Sequence, residues 1–161
     1  MHIAFSIRDV AVSRHNGRVQ SWRVRQVLNA VNCSTLLGVL LGLASRSRFR
    51  AGPDGLLLAG DSRLPLRGAA ALTVGDVVLT HEDVDWLLAH PRLLRHEGRH
   101  SWQYAACLGL PMLPLYGVAA AWSYLRGGDF GVHNPFERLA GLEDGGYPQL
   151  SARERRRRTA A

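Results

Sequence analysis

The chain has 161 residues, 47% of them hydrophobic and 20% charged, which is typical of a folded protein of about one domain and excludes a disordered chain. Its two cysteines exclude a disulfide scaffold and a four-cysteine zinc module. All twenty basic residues are arginine, and the formal net charge of +7 first suggests a nucleic acid or an anionic membrane as partner.

The first predicted element follows an N-terminal extension of residues 1–20. This extension lacks the apolar run of a signal peptide, so we expect a cytoplasmic protein. Apolar residues at spacings of three and four then predict one helix over residues 21–45. Arg46, Arg48 and Arg50 follow, where they would meet the negative end of the helix dipole.

Three strands are predicted next, over residues 56–59, 64–66 and 71–80. These short apolar runs are separated by Gly-Asp-Ser and Arg-Gly turns. Gly75 is a candidate bulge in the third strand. The sequence therefore predicts a small antiparallel sheet of about three strands.

The C-terminal half is predicted to be mainly helical. Residues 81–89 predict a short helix, and Pro91 fits the first turn of the next one. Residues 101–125 carry no formal charge and are long enough to cross a bilayer, but Pro111 and Pro114 interrupt them. We expect a buried pair of core helices there, with a membrane-seated hairpin as the alternative.

Beyond this run, residues 127–147 are rich in glycine and predict a loop around a short helix at residues 135–143. Residues 151–161, which include four consecutive arginines from Arg155 to Arg158, predict a disordered tail. The elements together predict an α+β fold, with the sheet packed on a helix that contains residues 96–100. A single domain is expected over residues 21–150.

Residues 96–100 read His-Glu-Gly-Arg-His and match the pattern HExxH. On a helix, His96 and His100 lie one turn apart on the same face, so both imidazoles can bind one metal ion. Glu97 lies in the same turn, where it can act as a general base toward a water molecule that the metal activates. The pattern therefore indicates a metal site with hydrolytic chemistry.

A catalytic zinc site normally has a third protein ligand, and four downstream residues qualify: His133, Glu137, Glu143 and Asp144. Glu137 is favoured, because Asn134 is a natural N-cap and Pro135 a natural first residue of a helix. The first turn of that helix would hold the Glu137 carboxylate rigidly. His133 is the second choice.

From residue 75 to residue 147 the sequence resembles the small gluzincin-type zinc metallopeptidases, and more closely a group of uncharacterised bacterial zincin-like proteins. That group has a strand, then His-Glu-x-x-His-x-x-Gln, then an Asn-Pro-x-Glu box, and here Gln103 and residues 134–137 complete the pattern. The resemblance covers less than half of the chain. It implies a minimal zincin-like fold, Zn²⁺ as cofactor, Glu97 as general base, and three zinc ligands: His96, His100 and Glu137.

The chain departs from the larger gluzincins in two respects. Gly141 stands where those enzymes have a second acidic residue, and the part before the motif is too short for a full substrate-binding subdomain. Asp144 and His133 are candidates for residues that contact the metal ligands without binding the metal, and Asp144 would orient a ligand histidine. Tyr147, after a flexible Asp-Gly-Gly, is the preferred tyrosine for donating a hydrogen bond to an oxyanion.

Three functional hypotheses follow. The leading one is a zinc metallopeptidase acting on a peptide or protein, which an exposed strand within residues 71–80 would bind by β-addition. The second is a zinc-binding protein without catalysis, in which the metal adds folding free energy. The third is a membrane-peripheral adapter that uses its basic ends, Arg46, Arg48, Arg50 and the C-terminal arginine run.

The distribution of charge makes a nucleic acid the least favoured partner. Residues 1–50 hold eight arginines and one acid, and residues 151–161 hold five arginines and one acid, whereas residues 51–150 hold seven arginines and eleven acids. The middle of the chain, which contains the HExxH pattern, is therefore acidic. Aromatic residues are not interleaved with the arginine clusters, as a groove for stacked bases would require.

Overall fold

The computed structural model describes residues 21–66 and 69–147, in which six α-helices surround a four-stranded sheet. The predicted α+β class is confirmed. The predicted N-terminal extension and the predicted disordered tail, including Arg155 to Arg158, lie outside the described residues.

The helices are α1 (Ser21–Val31), α2 (Ser34–Ala44), α3 (Val84–Ala89), α4 (Pro91–Ala106), α5 (Met112–Gly127) and α6 (Pro135–Ala140). The strands are β1 (Arg48–Ala51), β2 (Leu57–Gly60), β3 (Leu72–Val74) and β4 (Val77–Leu79). The short helices predicted after residue 81 and near residue 135 are thus present, and Pro91 opens α4 as expected.

The single helix predicted over residues 21–45 is wrong, because the segment forms two helices that meet at 75°. Cys33, between them, adopts a left-handed backbone conformation with φ 64°. The side-chain oxygen of Asn32 accepts hydrogen bonds from the backbone N–H and the hydroxyl of Ser34, at 3.0 and 2.7 Å. Such side chains compete with the helical backbone for hydrogen bonds, so the polar residues here end α1 and begin α2.

The sheet differs from the predicted one in strand number and direction. Its order is β1-β2-β4-β3, and β2 pairs with β4 in parallel while the other two pairs are antiparallel. The unpredicted strand β1 contains Arg48 and Arg50, and Arg50 pairs with Asp85 of α3 at 2.6 Å. Residues 64–66 are irregular rather than a strand.

The predicted strand over residues 71–80 is a hairpin formed by β3 and β4. Gly75 lies in its turn at φ 62°, and a Cβ there would come 2.3 Å from the backbone nitrogen of Thr35. Gly75 is therefore a turn glycine rather than a bulge, and it allows the hairpin to approach the start of α2.

Helices cover both faces of this sheet. Val74, Val77 and Leu79 point to one face, in a cluster with Leu37 and Leu41 of α2. Val78 points to the other face, where Leu87 of α3 and Leu94 of α4 pack. The prediction that the sheet packs on the HExxH helix is confirmed, since α4 lies against β3.

A buried polar network fixes α1 to the turn of the hairpin. Arg25 donates from Nε to Oδ1 of Asp76 at 2.8 Å, and both side chains are almost fully buried. Asn29 and Ser101 donate to the same oxygen at 3.2 and 2.6 Å, and Thr35 donates to Oδ2 at 3.2 Å. Removing one partner of such a buried pair typically costs about 3–5 kcal/mol, so α1 is a fixed part of the fold.

The expectation of a buried helix pair over residues 101–125 is wrong for its second half. Residues 101–106 complete α4 and are partly buried, whereas Met112 and Ser123 are the buried residues of α5. Among the described residues, no single helix has the length and apolar composition to cross a bilayer, and the bent pair α1–α2 passes that test only when its two helices are taken together.

Candidate metal centre

The two histidines of the HExxH pattern lie side by side on α4. Their exposed fractions are 3% for His96 and 8% for His100, and their Nε2 atoms are 3.0 Å apart. The helical spacing thus brings both imidazoles to one point, as the sequence predicts.

Helix α6 brings a carboxylate to the same point. Asn134 caps this helix by accepting a hydrogen bond from the N–H of Phe136 at 3.0 Å, and Pro135 is its first residue. Glu137, 2% exposed, follows in the first turn. Its Oε2 lies 3.1 Å from Nε2 of His96 and its Oε1 lies 3.4 Å from Nε2 of His100.

The partners of the Nδ1 atoms determine whether each Nε2 atom carries a proton or a lone pair. Nδ1 of His96 lies 3.1 Å from the carbonyl oxygen of Gly141, and Nδ1 of His100 lies 2.8 Å from Oε1 of Gln103. The Gln103 amide is oriented by its nitrogen, which donates to the carbonyl of Phe136 at 2.9 Å. Since these oxygens only accept, both Nδ1 atoms donate, and each neutral imidazole keeps an Nε2 lone pair for the cluster.

The two Nε2 atoms and the carboxylate are spaced as the ligands of one shared cation would be. Separations of 3.0 to 3.4 Å compare with about 3.3 Å between ligands that bind a tetrahedral ion at about 2.0–2.1 Å. Oε2 of Glu137 is buried and makes no hydrogen bond of acceptable geometry within the described part of the chain. His96, His100 and Glu137 therefore form a buried group that could hold a metal ion.

The cluster shifts two pKa values in opposite directions. Burial opposes a charge on His100, but the adjacent Glu137 carboxylate and the charge of Glu97 outweigh it, so the pKa of His100 lies above its ordinary value. Burial also opposes a charge on Glu137, but the close approach of His100 and His96 and the hydroxyl of Tyr116 hold the pKa of its carboxyl well below the usual range. An ionised Glu137 carboxylate beside the two imidazoles is thus favoured.

Glu97 lies between α4 and the sheet, held by a residue of β3. The hydroxyl of Thr73 donates to Oε2 of Glu97 at 2.7 Å. Burial raises the pKa of the Glu97 carboxyl, against the opposing effects of His100 and Thr73. One carboxylate oxygen of Glu97 is therefore fixed by Thr73.

Two tyrosines reach the cluster. Tyr116 of α5 donates its hydroxyl to Oε1 of Glu137 at 2.5 Å, and burial together with the Glu137 charge raises the pKa of Tyr116 above its usual range. Tyr147, the tyrosine favoured from the sequence, has its ring centre 6.3 Å from that of His96. Tyr116, which the sequence does not favour, donates directly to Glu137, and burial together with the same carboxylate also raises the pKa of Tyr147.

A glycine-containing segment, residues 141–147, lies over His96, and we call it the strap. A Cβ on Gly145 would come 2.6 Å from Cε1 of the His96 ring, so the strap backbone rests on the imidazole. Gly131 lies under the other end, where a Cβ would meet the Tyr147 ring at 2.1 Å. The close approach explains why glycines occupy these positions.

Asp144 fastens the strap to α4. It pairs with Arg99 at 2.9 Å and with Arg95 at 3.5 Å, and the hydrogen bond from Arg99 helps to keep the pKa of Asp144 below its ordinary value. The expected contact between Asp144 and a ligand histidine is replaced by the Gly141 carbonyl. His133, the other candidate, donates its backbone N–H to Ser123 at 2.9 Å and is not part of the metal-site group.

A separate groove of about 430 Å³ runs along another side of α4. Leu94, Gly98 and Trp102 are among the residues that line it, and none of the three metal-site residues does. The groove therefore gives no direct path to the candidate ligands, which lie beneath the strap.

Comparisons of this chain with protein-family models, with curated proteins and with solved structures find no significant match. The resemblance to zincin-like proteins stays a prediction, and the functional interpretation depends on the geometry of the site.

Proposed function

We propose that this protein is a zinc-dependent hydrolase that cleaves peptide bonds. The observation that supports this most strongly is the convergence of His96 Nε2, His100 Nε2 and the Glu137 carboxylate, with Glu97 in the same turn of α4. Two imidazoles and one carboxylate form a ligand set that suits zinc better than harder ions such as Mg²⁺ or Ca²⁺.

The number of ligands favours catalysis over a purely structural role. Structural zinc sites usually have four protein ligands, whereas catalytic sites have three and leave a position for water or substrate. When bound here, zinc would supply Lewis acidity toward a carbonyl and lower the pKa of a water molecule.

The residues around the ligands have separate tasks in this proposal. Gln103 and the Gly141 carbonyl orient the two imidazoles. Tyr116 holds Oε1 of Glu137. Thr73 fixes Oε2 of Glu97, so that Oε1 accepts the proton of the attacking water as general base.

The sheet offers a binding mode for a peptide substrate. Strand β3 is the last in the sheet order. Leu72 at its start is exposed, whereas Val74 and Thr73, which contacts Glu97, are buried, so only the start of the strand is exposed as predicted from the sequence. An extended peptide added beside β3 would run past the general base, with backbone hydrogen bonds giving affinity without a strict sequence requirement. Tyr147, close to His96, is the proposed donor to the oxyanion that forms at the attacked carbonyl.

The variant Glu97→Gln tests this proposal. It keeps the size of the side chain and all three proposed ligands, so we expect zinc content to be retained and peptide cleavage to fall by at least about 100-fold. Cleavage of a mixed peptide library is followed by mass spectrometry of new termini. Glu143→Gln, a change of the same kind at an exposed acid of the strap, is the matched control. Unchanged turnover in Glu97→Gln with zinc retained would refute the mechanism.

The burial of the ligands favours a second candidate, a zinc ion that only ties α4 to α6. His96, which the strap covers, and Glu137 are almost inaccessible, so a substrate can reach them only if the residues that cover them move. In that case zinc removal would lower the melting temperature, while the zinc-loaded wild type would produce no new peptide termini. New termini that depend on Glu97 would exclude this candidate.

A further inference from the structure

Three helices expose apolar side chains on their outward sides. On α5, Val118 is 72% exposed and Leu125 is 83% exposed, although both are large hydrophobic residues. Helices α1 and α2 likewise expose large hydrophobic side chains: Val27, Val31, Leu36 and Leu40. A soluble monomer rarely exposes so much contiguous apolar surface without a partner for it.

The turns that join these helices lie against each other. A Cβ on Gly109, in the α4–α5 loop, would come 2.5 Å from the side chain of Asn32, at the α1–α2 bend. Met112 of α5 also packs in the same hydrophobic cluster as Leu37 of α2. We call the outward apolar side chains of α1, α2 and α5 together the apolar face.

The charged residues of the apolar face are all of one sign. Residues 21–53 and 98–128 contain no Asp or Glu. Arg126 lies 5.6 Å from the ring centre of the exposed Trp122 at the end of α5, and Arg23 lies 5.5 Å from that of Trp22, which also packs on Gly55, at the start of α1. Tryptophan and arginine at the ends of apolar helices are typical of proteins that lie in a membrane interface.

We propose that the apolar face binds the surface of an anionic lipid bilayer. The helices lie on the bilayer and do not cross it, because the Arg25–Asp76 pair and its partners hold α1 against the hairpin turn and α4. Apolar side chains enter the acyl boundary, and the arginines at the helix ends meet lipid phosphates. This membrane contact goes beyond the proposed hydrolase activity and requires neither zinc nor Glu97.

A second copy of the chain is a poorer occupant of the apolar face. A two-fold contact brings the same surface of both copies together. Arg23 and Arg126 of one copy would then approach those of the other, with no acidic residue in α1, α2 or α5 to pair with them. Lipid phosphates supply the opposite charge that a second copy lacks.

Flotation of the full chain with vesicles tests the proposal. We expect the wild type to float with vesicles of equal parts phosphatidylglycerol and phosphatidylcholine, and to float less at high salt without losing binding, because salt screens only the charged contacts. In the double variant Val118→Glu/Leu125→Glu, partitioning should fall at least about tenfold. The control Leu72→Glu/Leu88→Glu adds the same charge at exposed leucines outside these helices and should float like the wild type.

Circular dichroism and thermal unfolding verify that each variant is folded, and Leu36→Glu/Leu40→Glu on α2 is the substitute if the first variant is not. Three results would overturn the proposal. The first is a wild type that does not float. The second is equal flotation of the α5 and control variants, which would assign binding to the arginine-rich ends. The third is a dimer, detected by light scattering, that the α5 variant dissociates, which would assign the apolar face to a second copy.

Discussion

The variant Gln103→Leu tests how the proposed ligand His100 is held. The change removes the oxygen that accepts from Nδ1 of His100 at 2.8 Å and the nitrogen that donates to the Phe136 carbonyl at 2.9 Å. His100 then loses the partner that fixes its ring and tautomer, and α4 loses a link to α6. Loss of such a partner typically lowers metal affinity by about 10- to 100-fold, which corresponds to about 1.4–2.7 kcal/mol.

Competition with a chromogenic chelator measures the zinc affinity directly. Gln26→Leu is the matched control, because Gln26 also donates its amide to a backbone carbonyl, that of Gly55 at 2.7 Å, but in α1 and outside the cluster. Gln103→Glu retains an acceptor for His100, so its affinity should lie closer to the wild type than that of the leucine variant. Equal zinc affinities for Gln103→Leu and Gln26→Leu would refute the reasoning.

Three further predictions concern packing and protonation. Gly38→Ala places a Cβ 2.4 Å from the Val74 carbonyl oxygen and should destabilise the fold by about 1–3 kcal/mol or more. Gly117→Ala on α5 meets nothing within 4 Å and should stabilise the fold by up to about 1 kcal/mol. Equal melting temperatures for the two variants would contradict this prediction. Gly145→Ala places a Cβ 2.6 Å from the His96 ring, so zinc affinity should fall, and an unchanged affinity would mean that the strap does not rest on the ligand. The pKa of Tyr116 is raised in the folded state, so the stability that its protonated hydroxyl contributes is present below pH 10, the ordinary tyrosine value, and is lost as the pH rises further. Chemical denaturation at a series of pH values measures this loss. If Tyr116→Phe loses as much stability at alkaline pH as the wild type, the prediction is wrong.

The site could be predicted from the sequence where local rules position it. The spacing of His96 and His100 needs only helix geometry, and the placement of Glu137 needs only the Asn-Pro start of α6. Both signals are contained within a few residues, and the two helices that carry them are present as predicted.

The contacts that complete the site come from elsewhere in the chain. Thr73 reaches Glu97 across 24 positions and Tyr116 reaches Glu137 across 21, and no periodicity marks either residue. Gln103 was visible as part of the motif, but its task depends on the Phe136 carbonyl of another helix. Such residues are found only when the packing of α4, α5 and α6 is known.

The errors in the fold have a similar cause. Apolar residues recur at helical spacing on both sides of Asn32 and Cys33, so periodicity alone predicts one helix. The left-handed backbone of Cys33 and the bonds from Ser34 to the Asn32 side chain divide it into two. The parallel pairing of β2 with β4 joins strands that are separated by β3, and a local pattern carries no information about that choice. The outward side of α5 is apolar like a core helix, and hydrophobicity cannot distinguish burial in protein from contact with a bilayer.

Helix α5 takes part in both the proposed metal centre and the proposed membrane contact. Tyr116 on its inner side holds Glu137, while Val118 and Leu125 belong to the apolar face. A helix is about 10 Å across, so a bilayer on the outer side would lie roughly one helix diameter from the metal-site residues. A peptidase placed in this way would act on chains close to a membrane surface.

Zinc content measured by plasma mass spectrometry tests the central claim most directly. The wild type, His96→Ala, Glu137→Ala and the control Glu143→Ala are loaded with equimolar zinc and passed through a desalting column. We predict one zinc ion per chain in the wild type and the control, and loss of most of it in the other two, because each lacks one of three ligands. A wild type without zinc, or equal zinc in all four proteins, would contradict the account.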